Sequence, residues 1–209
     1  MNPRDRYPLI VFALASAVIV WSAIRPFDLL TWFLEVLPAI AGLAIILPTW
    51  RRFPLTPLLC TLIALHMILL AVGGHYTYAR VPAGDWVRDW LGLSRNHYDR
   101  LGHFAQGLVP AIIARELFLR LGVVARRGWF NYLILSACLA VSALYELIEW
   151  TTALVLGESS DSFLGTQGDV WDTQTDMFVC LVGAVSSLVL LRAWHDQQLR
   201  ALRPPQSPG

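Results

Sequence analysis

Lysine is absent: all sixteen basic residues of this 209-residue chain are arginine. Codon usage readily produces such a bias, but the absence still excludes a Schiff base or any other lysine nucleophile. Charge of either sign is scarce. Asp, Glu, Lys and Arg make up 15% of the chain, where a soluble domain carries about 25%. The net charge of +1 gives no pull toward nucleic acid. Cysteine is also rare. Cys60, Cys138 and Cys180 are odd in number, each lies in an apolar run, and their spacing suits no metal. They read as small packing residues, with neither a disulfide framework nor a thiolate site. There is no internal repeat, low-complexity stretch or long linker. One integral-membrane domain over 1–200 is expected, followed by a Pro-rich disordered tail, 201–209.

What is present is apolar surface: 56% of the residues are hydrophobic. The sequence predicts an all-α, polytopic membrane helix bundle of about six spans, over 8–24, 29–47, 57–72, 101–121, 129–154 and 175–194. A helix crosses the hydrocarbon core with about 20 apolar residues, so the first and third are short. The second holds Glu35 and Pro38, which a kink or an inward-turned carboxylate accommodates. Ala13, Ala15 and Ala17 mimic a cleavage signal but fall within the first apolar run, so that run reads as an uncleaved helix. With both termini in the cytoplasm, ten arginines lie inside and five outside, and the pairs Arg51–Arg52 and Arg126–Arg127 sit in short inner loops. Two longer loops, 73–100 and 157–174, are then outside. In the first, Ala83–Leu91 predicts a short helix with Trp86 and Trp90 on one face, suited to the membrane interface.

The acids and histidine of the later spans gather at that outer end. Asp99, His103 and Gln106 are spaced four and three, and so share a helix face. Glu146 and Glu149 share another. Asp169, Asp172 and Asp176 stack on a helix beginning near Val170, where the first two could alternatively cap it. Ionisable groups converging at one membrane depth are a candidate site by default. The spacing nominates His103, Asp99 and Glu149 as catalytic groups, and His103, Glu146, Glu149, Asp172 and Asp176 as ligands of a divalent cation: Mg, Mn or Zn. So many carboxylates need a compensating cation, from Arg100, Arg115, protonated His103 or a metal. Arg100, Gln106, Arg115 and Gln167 are the expected substrate-binding groups. Gln167 lies in the turn Gly165–Gly168, whose backbone amides suit an anion. Arg115 and Glu116 lie within a span and read as glue between helices or as a positive lining, with Glu35 an alternative partner for Arg115. His75, Tyr76 and Tyr78 are either interface aromatics or a cover for the pocket.

The stretches GGHYTYARVP (73–82), NHYDRLGHFAQGLVPAIIARE (96–116), YELIEW (145–150) and FLGTQGDVWDTQTDM (163–177) resemble the YjdF-like family of bacterial inner-membrane proteins. The resemblance implies a multi-pass protein of the inner membrane, with no established substrate or reaction. A more distant likeness links Asp99-Arg100-Leu-Gly-His103-Phe104, Glu146-x-x-Glu149 and the aspartates Asp172 and Asp176 to VanZ-like membrane proteins, with Glu149 where those carry Gln. It implies cell-envelope chemistry on the outer face. Three readings follow: an enzyme or binder acting on an envelope lipid headgroup, a proton- or cation-coupled transporter of small solutes, and a non-catalytic scaffold. Membrane lipids are the expected partners, and nucleic acid is not one.

Overall fold

The computed structural model describes residues 3–156, 163 and 166–202. Among the described residues there are eight α-helices and no strand. They are α1 (Pro3–Ser22), α2 (Leu29–Thr49), α3 (Pro57–Tyr76), α4 (Pro82–Leu91), α5 (Tyr98–Leu121), α6 (Phe130–Leu156), α7 (Asp172–Leu190) and α8 (Arg192–Leu202). Four, over Leu29–Thr49, Pro57–Tyr76, Arg127–Val155 and Asp172–Leu190, are long and apolar enough to cross a membrane, with mean hydropathy of 2.1, 2.1, 1.6 and 1.5. The apolar stretch of α1, Arg6–Ser22, is shorter. Helix α5 has the length, at 24 residues, but carries Asp99, Arg100, Arg115, Glu116 and Arg120.

Local chemistry sets the helix ends. Asp28 caps α2 by accepting from the Thr31 amide, 2.7 Å. Thr56 does the same for Leu59 at the start of α3, with Pro57 at the first helical position. Gly92 and Gly122 end α4 and α5 in the left-handed conformation, φ 64° and 66°. Helix α2 runs unbroken through Pro38. The third span is a full 20 residues, longer than the sequence pattern predicts, because the glycine pair Gly73–Gly74 continues the helix. The last span begins at Asp172, ends at Leu190 and is followed by the separate α8, so residues 201 and 202 are helical. From residue 203 the anticipated tail lies outside the described residues, as do 157–162 and 164–165 of the second long loop.

The helices form two packed groups. Helices α1 and α2 lie against α3, α6 and α7 lie against α5, and α3 against α5 joins them. The closest crossing is α5 on α7. A Cβ on Gly107 would collide with the Cys180 carbonyl, and one on Gly183 with the Phe104 carbonyl. Small residues on both sides bring the two backbones together, as membrane helix pairs commonly require. Much of the remaining outer surface is apolar and exposed, including Leu14, Ile45, Leu47 and Val189. A soluble monomer rarely leaves so much contiguous apolar surface uncovered, and a lipid environment covers it.

Candidate functional site

The α5–α7 crossing carries the chemistry. His103 projects from α5 one turn past Asp99 and is 5% exposed. Its Nδ1 lies 3.0 Å from Gln106 Oε1. A carbonyl oxygen only accepts, so Nδ1–H donates, and Nε2 is the nitrogen turned to the carboxylates. Three carboxylate oxygens surround that nitrogen: Asp99 Oδ1 at 3.5 Å, Glu146 Oε1 at 3.7 Å and Asp176 Oδ1 at 3.7 Å. They come from α5, α6 and α7. Glu146 and Asp176 are buried, 6% and 2% exposed. Glu146 Oε1 has no hydrogen-bond partner among the described residues. Two overlapping sets have ligand atoms within 4.8 Å of one another: Asp99, His103 and Asp176, and His103, Glu146 and Glu149.

Beside this centre sits a clamp. Arg95 and Arg100 both donate to Asp172 Oδ1 at 2.7 Å and to Asp169 Oδ2 at 3.2 and 2.9 Å. Arg100 also pairs with Asp176 and donates to the Asp172 carbonyl, 3.1 Å. Asp169 Oδ1 accepts from the Trp171 amide, 2.9 Å. That bond, helped by Arg100 and Arg95 against some desolvation, holds the Asp169 carboxyl below its ordinary range. Neither aspartate caps α7. Trp171 occupies the cap position with no side-chain bond.

Most expected site residues do meet, with changed partners. Asp99 joins the metal-type cluster, although its spacing nominated it only as a catalytic group. Asp172 leaves the expected metal set, because two arginines take its carboxylate. Arg100 is committed to aspartates. Gln106 orients His103. Gln167, at φ 50°, accepts from the Asn96 amide at 3.0 Å and donates to the Asn96 carbonyl at 2.8 Å. It clips the second long loop to the first rather than presenting a free amide. Asn96 is fully buried and continues the tie, donating to the Val81 carbonyl and to Asp85, each at 3.0 Å. Arg115 is not at this site. It lies four turns along α5, donating to His195 Nδ1 at 2.8 Å and to Asp196. Glu35 is paired not with Arg115 but with the Tyr145 hydroxyl, which donates at 2.9 Å. His75 contacts the Ser22 carbonyl, 3.0 Å, and lies over Trp21 at 4.5 Å between ring centroids, away from His103 and its carboxylates.

Arg95 and His66 escape a reading by motif, while Tyr78, expected as an interface aromatic or a pocket cover, lines the cavity beside the cluster. Arg95 sits in a loop, and only its spacing of four from Asp99 hints at a role; the two approach to 3.8 Å. Tyr78 is buried against Gly73 and Gly102, where a Cβ would come within 2.6 and 2.9 Å of its ring. His66, on α3, lines a cavity that also touches Asp99, His103 and Glu149. A single histidine in an apolar run gives no pattern to read.

The comparisons with known proteins agree with the resemblance seen in the motifs. Residues 7–197 match the family described as "Predicted membrane protein (DUF2238)". The chain is 53% identical over 200 residues to the Escherichia coli (strain K12) "Inner membrane protein YjdF", covering 94% of this chain and 96% of that protein. No solved structure matches. The likeness to VanZ-like proteins finds no support in either match. Matched over nearly its whole length, this helical chain belongs to the DUF2238 family of membrane proteins, alongside the inner-membrane protein YjdF.

Proposed function

We propose that the chain is an inner-membrane protein of six spans with both termini in the cytoplasm, and that its His103–carboxylate cluster faces the periplasm. There it holds a divalent cation and uses it to bind or transform an envelope lipid headgroup. The arginine distribution supports the orientation. Helix α5, too polar by composition alone, has its charges at its two ends with the apolar run Leu108–Ala114 between them, which suits a spanning helix flanked by good partners.

One observation carries the metal reading: Nε2 of His103 faces three carboxylate oxygens at 3.5–3.7 Å. Zinc bonds of about 2.1 Å in a tetrahedron separate neighbouring ligands by about 3.4 Å, and magnesium in an octahedron by about 2.9 Å. The observed spacing is close to the first and is reached from the second by modest inward movement. The pair Nδ1–H to Gln106 fixes the ring as outer-shell partners of metal-bound histidines do. Such a cation would neutralise the carboxylates and offer an open position to a phosphate oxygen. Asp99 and Glu149, at the cavity edge, would then position a water or accept a proton. Metal measurement on the detergent-purified protein tests this, beside a His103→Ala/Asp176→Asn variant. Near-stoichiometric metal in the parent and at least a tenfold loss in the variant are expected. No metal in the parent after resupply, with both proteins folded, sinks the metal centre.

The transporter reading draws on a different observation, that the cavity beside the cluster continues past His66 to Glu116. It gains ground if the parent holds no metal, because the carboxylates would then be free to exchange protons.

A further inference from the structure

The cavity between the two helix groups has a shape that a headgroup site alone does not require. It encloses about 530 Å³, within the range of ligand pockets. Asp99, His103 and Glu149 line one end and Glu116 lines the other. These ends are thirteen positions apart on α5, about 20 Å at 1.5 Å per residue. Spread over that length, the volume is a passage about 6 Å across, and an alkyl chain at carbon–carbon contact distances of about 3.5–4.0 Å fits along it. The wall between the ends is largely apolar, drawn from Ala39, Ile46, Ile63, Met67, Val109 and Ile113, and Glu35 and His66 are ionisable groups that also line the cavity. Water gains few hydrogen bonds in such a space, and a void leaves the lining without contacts.

The passage also has a side opening. Helix α2 lies on α3, and its tie to α6 is the hydrogen bond from Tyr145 to Glu35. Further along α2, a Cβ on Gly42 would meet nothing within 4 Å. Ile45 and Val141, on the same seam, line the cavity and are also exposed on the outer surface, 66% and 47%. Neither is covered by protein, so the seam faces hydrocarbon if these helices span the bilayer.

We propose that this cavity holds one acyl chain of a bilayer phospholipid, admitted sideways between α2 and α6, with the headgroup at the His103 end. The assignment of the headgroup rests on the function proposed above; the assignment of the chain rests on the cavity. A phospholipid is the occupant that already surrounds these helices. One leaflet's chain spans about half of a 30 Å core, so the passage takes it whole, and its single-chain width leaves the second chain in the bilayer.

The test uses full-length protein in vesicles of phosphatidylethanolamine and phosphatidylglycerol, doped with a phosphatidylethanolamine carrying a diazirine near one acyl end. After photolysis, adducts are mapped by peptide mass. Labelling is expected at the cavity-facing Ile63, Met67 and Leu117. It is expected to fall at least tenfold in Gly42→Trp, a substitution with open space to enter, while the outward-facing Leu14 and Val189 keep their label. Ile113→Trp fills the passage from the opposite wall and serves if the first variant misfolds. An unlabelled cavity in the parent, or equal labelling in a folded filled variant, overturns the proposal. Metal content of the same samples separates the two readings. Cavity labelling without metal leaves the chain site standing and removes the metal centre, and metal without cavity labelling does the reverse.

Discussion

Replacing Arg100 with glutamine tests whether the His103 cluster and its arginine clamp form an electrostatically interdependent unit. Arg100 reaches Asp169, Asp172 and Asp176, and the last two have side chains only 8% and 2% exposed. Asp172 keeps Arg95 at 2.7 Å when Arg100 is gone. Asp176 loses its arginine and is left 3.7 Å from His103. Stripping one partner from a buried ion pair costs about 3–5 kcal/mol, most of it the penalty of the stranded charge. For a chain of this size that lowers the melting midpoint by about 6–20 °C. Adding Asp176→Asn removes the stranded charge, so the double variant is expected to melt above the Arg100→Gln single, with a coupling of about 1–3 kcal/mol. Midpoints are compared in one detergent at one heating rate, because unfolding of a membrane protein is often irreversible. Arg88→Gln, on the exposed helix α4, is the control and leaves the midpoint unchanged. An Arg100→Gln variant melting within about 2 °C of the parent, or a double variant no more stable than the single, would refute the reasoning.

Two other expectations follow from the geometry. Gly183→Ala places a methyl against the Phe104 carbonyl at the α5–α7 crossing, and backbone cannot yield as a flexible side chain does; a loss of about 2–4 kcal/mol and at least a tenfold loss of bound metal are expected together, whereas Gly42→Ala, with open space around it, changes neither. Asp169 has its carboxyl held below the ordinary value of 3.8, so its contribution is fully present above that value and disappears as pH falls through the lower, folded-state pKa. The stability gap between the parent and Asp169→Asn is therefore flat from pH 7 to 5 and closes only in stronger acid, and a gap that closes near pH 6 contradicts the assignment.

Helix class and most of the cluster were legible because periodicity reports faces. Spacings of four and three put Asp99, His103 and Gln106 on one side of α5, and the structure makes that side a hydrogen-bonded unit. Pairing between elements was much less legible. Glu35 was an alternative partner for Arg115 because both are charges within apolar spans, yet each finds its partner elsewhere. Nothing local in the sequence encodes that α8 brings His195 to Arg115, or that Tyr145 reaches Glu35. The partners of Asp172 were hidden for the same reason. Spacing shows that it can join the carboxylates, while Arg95, one of the two arginines that hold it, comes from a loop that has no periodicity to interpret. The glycines of the α5–α7 crossing were visible as residues, but their necessity appears only when two backbones meet.

The two ends of α5 contain similar residues arranged to different effect, and the difference argues against a scaffold role for both. At the Arg115 end, Glu116 accepts from the Thr56 hydroxyl at 2.7 Å, from Arg120 at 2.7 Å and from His195 Nε2–H at 2.9 Å. His195, itself fully buried, accepts from Arg115 at Nδ1, which assigns its proton to Nε2. Every acceptor there has a donor, as a network that only locks helices together must. At the His103 end, Glu146 Oε1 is buried without a donor among the described residues, and the three carboxylates around Nε2 stand 3.5–3.7 Å from it, too far for strong hydrogen bonds. An unmet buried acceptor costs about 1–3 kcal/mol, and membrane helices held by hydrogen bonds gain only about 0.6–2 kcal/mol per bond. A cluster left in that condition is poor glue, which favours the metal centre proposed above over a scaffold.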